Sequence, residues 1–107
     1  MTLLNLENEA KEMKKLKLFK SADELFAEIG FTKVYESNSY VEYERYNEEF
    51  KYMQSLDLGY KNNGYHLIMS SVKDVNSEGF NNMVGLTMYE ALLCLKKMRE
   101  LKWKMKK

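Results

Sequence analysis

Leu3, Leu6, Ala10 and Met13 recur at 3-4-3 spacing with Glu and Lys between them. That is the pattern of one helical face, and it predicts a helix over residues 3–17. The stripe is narrow and lasts barely two heptads, so this helix needs packing on the domain or on another copy. A second helix begins at Ser21, where Ser21 and Glu24 have capping-box spacing. Leu25, Phe26 and Ile29 give it an apolar face, and Gly30 fits its close, which predicts a helix at 22–29. The period then changes to two. Residues 31–36 and 40–46 are β-prone runs flanking the turn tripeptide Ser37-Asn38-Ser39, and Val41 and Tyr43 alternate with Glu42 and Glu44. Asn47-Glu48-Glu49 makes the next turn. A third strand over about 50–59 alternates Leu56, Leu58 and Tyr60 with Ser55, Asp57 and Gly59. Asn63-Gly64 is a type I′ hairpin signal, and a fourth strand at 65–72 places Leu67 and Met69 opposite His66, Ile68 and Val72.

Residues 73–86, rich in Asp, Asn, Ser and Gly, are read as a long loop. Thr87 and Glu90 form a second capping box. The helix they open carries Ala91, Leu92, Leu95, Met98 and Leu101 as an apolar stripe, with Lys96, Lys97 and Arg99 facing away. The whole predicts an α+β fold: an antiparallel meander of three to four strands packed against N-terminal and C-terminal helices. Residues 1–107 form one domain, with 18–101 as the folding unit, 3–17 as an appended interaction element and 102–107 as a basic tail.

Composition narrows the function classes. A chain of 107 residues buries roughly two-thirds of its unfolded surface, enough for one core but not for a deep pocket as well. The single cysteine, Cys94, excludes an intramolecular disulfide and fits a reducing compartment. No apolar run has the length of a signal peptide or membrane span, which predicts a cytoplasmic protein without membrane contact. Eight Tyr beside many Glu suit strands with one wet face. Charge is unevenly placed: residues 21–95 hold five basic and twelve acidic groups, a balance of −7, whereas residues 96–107 hold seven basic groups and Glu100, a balance of +6. Such a split points to an interaction surface.

Catalytic chemistry finds little to build on. His66 is the one histidine, so no His-His metal pair or histidine relay exists, and a strand histidine of this kind reads as structural or solvent-facing. Cys94 lies beside the apolar stripe and reads as a buried, inert thiol. Glu42 and Glu44 share a strand face, which solubility of a half-wet sheet already requires. No zinc spacing, EF-hand or phosphate loop is present. No catalytic, cofactor-binding or metal-binding residue is assigned. The basic end admits two readings. Its lysines can neutralise phosphates while Trp103 stacks on a base, or it is a solvated helix end whose Trp packs back on the domain.

Leu18-Phe19-Lys20-Ser21-Ala22-Asp23-Glu24-Leu25-Phe26, closed by Ile29-Gly30-Phe31, resembles the opening of small uncharacterised proteins of phages and prophages of Gram-positive bacteria. The Tyr-rich strand Tyr40-Val41-Glu42-Tyr43-Glu44 and the Thr87-to-Glu90 helix start match as well. So does Glu100-Leu101-Lys102-Trp103, except that Lys102 stands where that family's close has glycine. The resemblance covers roughly residues 18–103 and implies a phage or prophage origin in a bacterial host cell, but no activity. The resulting expectation is a non-enzymatic accessory protein that binds another protein, with a second copy of the chain as one candidate partner. Nucleic-acid binding through the basic end is the alternative, and a small enzyme ranks last. Candidate contact residues are Leu3, Leu6 and Met13 in the first helix and Lys102, Trp103 and Lys104 at the end.

Overall fold

The computed structural model describes residues 20–61, 64–74 and 81–103. Within them the chain runs α1 (Ala22–Glu28), β1 (Thr32–Glu36), β2 (Tyr40–Asn47), β3 (Tyr52–Tyr60), β4 (His66–Asp74), β5 (Asn81–Met83) and α2 (Met88–Glu100). The strands form one antiparallel sheet in sequence order, so the α+β meander expected from the sequence is present. It gains a fifth strand from within the segment read as a loop. β5 pairs with Ser71–Lys73 of β4, and the Val84 N–H then bonds the Ser70 carbonyl at 2.9 Å. The helix expected at 3–17, with Leu3, Leu6 and Met13, lies outside the described residues, as does Lys104.

Both helices start and stop by the same local chemistry. At α1 the Ser21 hydroxyl accepts the Glu24 N–H at 3.2 Å and the Glu24 carboxylate accepts the Ser21 N–H at 3.4 Å. At α2, Thr87 and Glu90 repeat the exchange at 3.0 and 2.9 Å. Each box satisfies two amides that the helix itself leaves unpaired. At the other ends, Phe31 N–H returns to the Phe26 carbonyl and Trp103 N–H to the Met98 carbonyl, both at 3.0 Å. This closure puts the residue before each aromatic in the left-handed region: Gly30 at φ +94° and Lys102 at φ +60°. Glycine adopts that conformation without a Cβ penalty, whereas lysine does not. Lys102→Gly is therefore expected to raise the unfolding free energy by roughly 0.5–1 kcal/mol. Urea unfolding checks this; a loss of stability would show that the Lys102 side chain makes a compensating contact.

The β3–β4 connection differs from the expected two-residue type I′ turn. Gly64 N–H bonds the Lys61 carbonyl at 2.8 Å, and Lys61 N–H bonds the Tyr65 carbonyl at 2.9 Å. Three residues therefore separate the last paired positions. Gly64, at φ +86°, takes the left-handed place that closes a three-residue hairpin loop.

The sheet has two unlike faces. Val41 and Tyr43 of β2 and Leu56 and Leu58 of β3 point to the helices, where Leu25, Phe26, Phe31, Leu93, Cys94 and Met98 complete the core. Phe26 meets the Phe31 ring edge-on at 5.7 Å and lies 4.2 Å from Tyr43, centroid to centroid. In β1 the register slips between Lys33 and Tyr35, so two residues there oppose one on β2. Lys33 and Glu36 consequently both reach the helix side, while Val34 and Tyr35 both lie on the outer side.

The buried face of α2 overlaps the expected one only in part: Met98 is buried and Leu92 and Leu101 pack against the core as expected. Glu90, Leu93, Cys94, Lys97 and Met98 are buried and Leu95 is exposed, so the inward stripe is turned by about one residue from the sequence reading. Lys96 and Lys97, expected to face solvent, are both buried; Arg99 alone of the three is exposed. The reason is ionic. Lys97 Nζ lies 2.6 Å from Glu36 Oε1 and 3.1 Å from Asp23 Oδ1, and Lys96 Nζ lies 3.4 Å from Glu100 Oε2. Their methylene stems cover the core while their heads reach carboxylates.

Candidate functional site

Two polar clusters hold the helices on the sheet. In the first, Asp23 of α1 receives Lys33 at 2.7 Å, Tyr43 Oη at 2.5 Å and Lys97 at 3.1 Å. Burial works against ionisation of Asp23, but the hydrogen bonds from Lys33, Tyr43 and Lys97 outweigh it and lower the pKa below its ordinary value. Hydrogen bonds from Lys97 and Lys33 lower Glu36 likewise. Folded-state depression means that both carboxylates stabilise the fold above their unfolded values of about 4. That contribution is lost as pH falls through their folded values. Urea unfolding from neutral pH downward is expected to show a plateau and then a decline below about pH 4. The Asp23→Asn, Glu36→Gln pair should decline less steeply; an equally steep acid limb would assign the loss to other groups.

In the second cluster, Arg45 donates to the Ile29 carbonyl at 3.0 Å, Gln54 Oε1 at 2.8 Å and Glu90 Oε2 at 2.9 Å, with its guanidinium 4.2 Å from the Phe31 centroid. Gln54 in turn donates to Ser70 Oγ at 3.0 Å. Glu90 thus caps its own helix with one oxygen and receives Arg45 with the other. Both clusters have their polar groups mutually engaged, which suits a structural role.

The groups with reactive potential are isolated. Cys94 is buried, and burial followed by the nearby Glu90 pushes its thiol up to about 12, away from a reactive thiolate. His66 packs edge-on against Tyr60 at 5.3 Å and Trp103 at 5.9 Å, and its Nε2 is enclosed without a hydrogen-bond partner among the described residues. No group of three metal-binding side chains occurs among the described residues. No helix among them is long and apolar enough to cross a membrane.

The exposed chemistry lies on the outer face of the sheet, opposite both helices. A shallow depression there is lined by Glu42, Glu44, Ser55, Asp57, Met69 and Lys73. It adjoins an apolar one at Tyr40, Gly59, Leu67 and Met69, and another at Val34, Glu44, Tyr46 and Met53. Ser55 Oγ lies 3.3 Å from Glu42 and 3.4 Å from Asp57, and its single proton can serve only one of them at a time. Burial, and then the hydrogen bond with Asp57, pushes the Tyr40 phenol up to about 12. Glu42, Glu44 and Asp57 form no ion pair with any described residue, in contrast to the carboxylates on the helix side. Tyr35, Tyr40, Tyr46, Leu67 and Met69 leave large apolar surfaces exposed around this acidic centre. The alternation of β2 marked Glu42 and Glu44 as outward. The rim came partly from the β1 bulge, for which the sequence carries no local signal.

Of the proposed contact residues at the end of the chain, Trp103 is buried. It stacks on Tyr60 at 5.5 Å and donates from Nε1 to the Asn38 carbonyl at 2.8 Å. Lys102 is exposed beside it. The structure therefore separates the two rather than presenting them as one patch. Neither a family model, nor a curated protein, nor a solved structure matches the chain.

Proposed function

We propose that this chain is a non-enzymatic accessory domain of the phage or prophage type that its sequence resembles, and that it binds a partner protein through the outer face of its sheet. The observation that carries this reading is the exposed acidic and aromatic face, whose central carboxylates pair with no cation among the described residues. Large apolar side chains exposed around a polar centre on one face are the composition of an interaction site. The chemistry selects a partner segment that carries Lys or Arg among apolar side chains, because charge complementarity fixes register and speeds encounter. The isolation of His66 and Cys94 weighs against an enzyme.

The test uses the full chain and a Glu42→Lys, Glu44→Lys variant as baits in extracts of infected or lysogenic cells. A protein held by the wild type, released by salt and lost from a variant with unchanged unfolding midpoint is the expected result. Equal retention by both baits would refute the outer-face assignment. Nucleic-acid binding by the exposed basic residues at the end of the chain is the competing reading. What weighs against it is that Lys96 and Lys97 are engaged with carboxylates and Trp103 is packed inward. A salt-sensitive mobility shift, lost when Lys102, Lys104, Lys106 and Lys107 are neutralised, would favour it instead.

A further inference from the structure

The two edges of the sheet are built differently. β1 is five residues long, carries a bulge and places Lys33 along it, all of which discourage pairing with another strand. β4 is nine residues long and keeps unbroken register with β3 throughout. β5 covers only Ser71–Lys73 of it, and the bond from Val84 N–H to the Ser70 carbonyl is the last on that side. Because Ser70 turns its backbone outward, the period of two turns the N–H and C=O of Ile68 and His66 the same way. No strand among the described residues pairs with them. The side chains match this opening: Tyr65, Leu67, Ile68 and Met69 are 52, 45, 40 and 46 % exposed. Residues 64–70 carry no Asp, Glu, Lys or Arg.

We infer that this edge pairs with the same edge of a second copy, antiparallel about a two-fold axis at Leu67, making one continuous sheet. The open stretch is bounded by the Gly64 turn at one end and by Val84 at the other, and its centre is Leu67. A two-fold axis there sets His66 against the partner's Ile68, and Ile68 against the partner's His66. These are the residues whose backbone groups point outward, so each pair exchanges two hydrogen bonds. Leu67 then faces its own copy in the close, non-hydrogen-bonded position, flanked on the same face by Tyr65 beside the partner's Met69. Self-complementarity of this kind is what a two-fold interface demands. Charge selects this contact over stacking of the outer faces, which would set Glu42, Glu44 and Asp57 against their own copies. Edge pairing draws on Leu67 and Met69 of the outer-face rim but leaves the acidic centre at Glu42, Glu44 and Asp57 open on both copies, so the two readings can be tested separately.

Sedimentation of the full chain from micromolar to millimolar concentration should show a monomer–dimer equilibrium. Leu67→Lys brings two ammonium groups together at the axis and should raise the dimer dissociation constant at least about ten-fold. Leu67→Cys, treated with copper phenanthroline, should give a disulfide-linked dimer, because the close antiparallel pair meets the Cα separation that a disulfide requires. The wild type, with Cys94 buried, should not cross-link. Glu42→Lys, Glu44→Lys should keep the dimer, which separates this inference from the outer-face reading. A strict monomer overturns it. So does a dimer that is unaffected by Leu67→Lys and not trapped by Leu67→Cys, or one that is lost only when Leu3, Leu6 and Met13 are made polar.

Discussion

Replacing Arg45 by alanine is expected to lower the unfolding free energy by about 3 kcal/mol, the lower end of the range for stripping the partner from a buried charge. Glu90 is the reason. Its side chain is buried beneath the guanidinium, and without Arg45 one carboxylate oxygen keeps only its local surroundings. Gln54 Oε1 and the Ile29 carbonyl lose their donor in the same step. Arg45 itself is partly solvated, which holds the loss below the upper end of that range. Neutralising both groups separates the contributions: Arg45→Ala with Glu90→Gln should recover part of the loss, since no buried charge then remains. Urea unfolding of the four proteins in the cycle measures it. A loss under about 1 kcal/mol for Arg45→Ala would place Glu90 in contact with water after substitution.

Trp103→Ala should cost on a similar scale, about 3 kcal/mol, through the loss of a large buried ring. The indole closes the end of the core over Tyr60 and His66 and ties the β1–β2 turn to the end of α2 through the Asn38 carbonyl. Trp103→Phe keeps the stack and loses the N–H, so it should cost about 1 kcal/mol. Circular dichroism is the suitable probe, because Trp103 is the only tryptophan and its fluorescence leaves with it. The same variants bear on function. If the ring were a base-stacking platform, Trp103→Phe would weaken nucleic-acid binding while leaving the fold nearly unchanged; the packed position predicts the opposite division.

The parts of the fold that were legible in the sequence are those decided by neighbours along the chain. The boxes at Ser21 and Thr87, the close at Gly30 and the alternation of β2 are local events, and all are present. What was illegible depends on distant partners. β5 contains Asn81 and Asn82, weak strand formers that are held only because β4 lies beside them. The turned face of α2 depends on Asp23 and Glu36, which the fold brings to Lys97 from far along the chain. Periodicity assigns lysine to solvent and has no means of seeing carboxylates that lie far away along the chain. Of the candidate site, Glu42 and Glu44 were visible as outward residues. That no cation among the described residues pairs with them, and that an aromatic rim surrounds them, became visible only with the sheet assembled. Lys102 is the converse case: a lysine in a left-handed backbone conformation, which nothing in the residues around it announces.

The bulge in β1 gives the strand one residue of slack in length. Losing the single codon for Val34 would restore strict alternation, leaving Thr32 and Tyr35 outward and Lys33 and Glu36 inward, as they already are. Losing one codon within β2, for instance that of Glu42, would reverse every residue on one side of the gap and turn either Val41 or Tyr43 out of the core. Length variation among descendants of this sequence should therefore collect at Val34 and avoid β2. The first strand would change in twist and keep its ion pairs to Asp23 and Lys97.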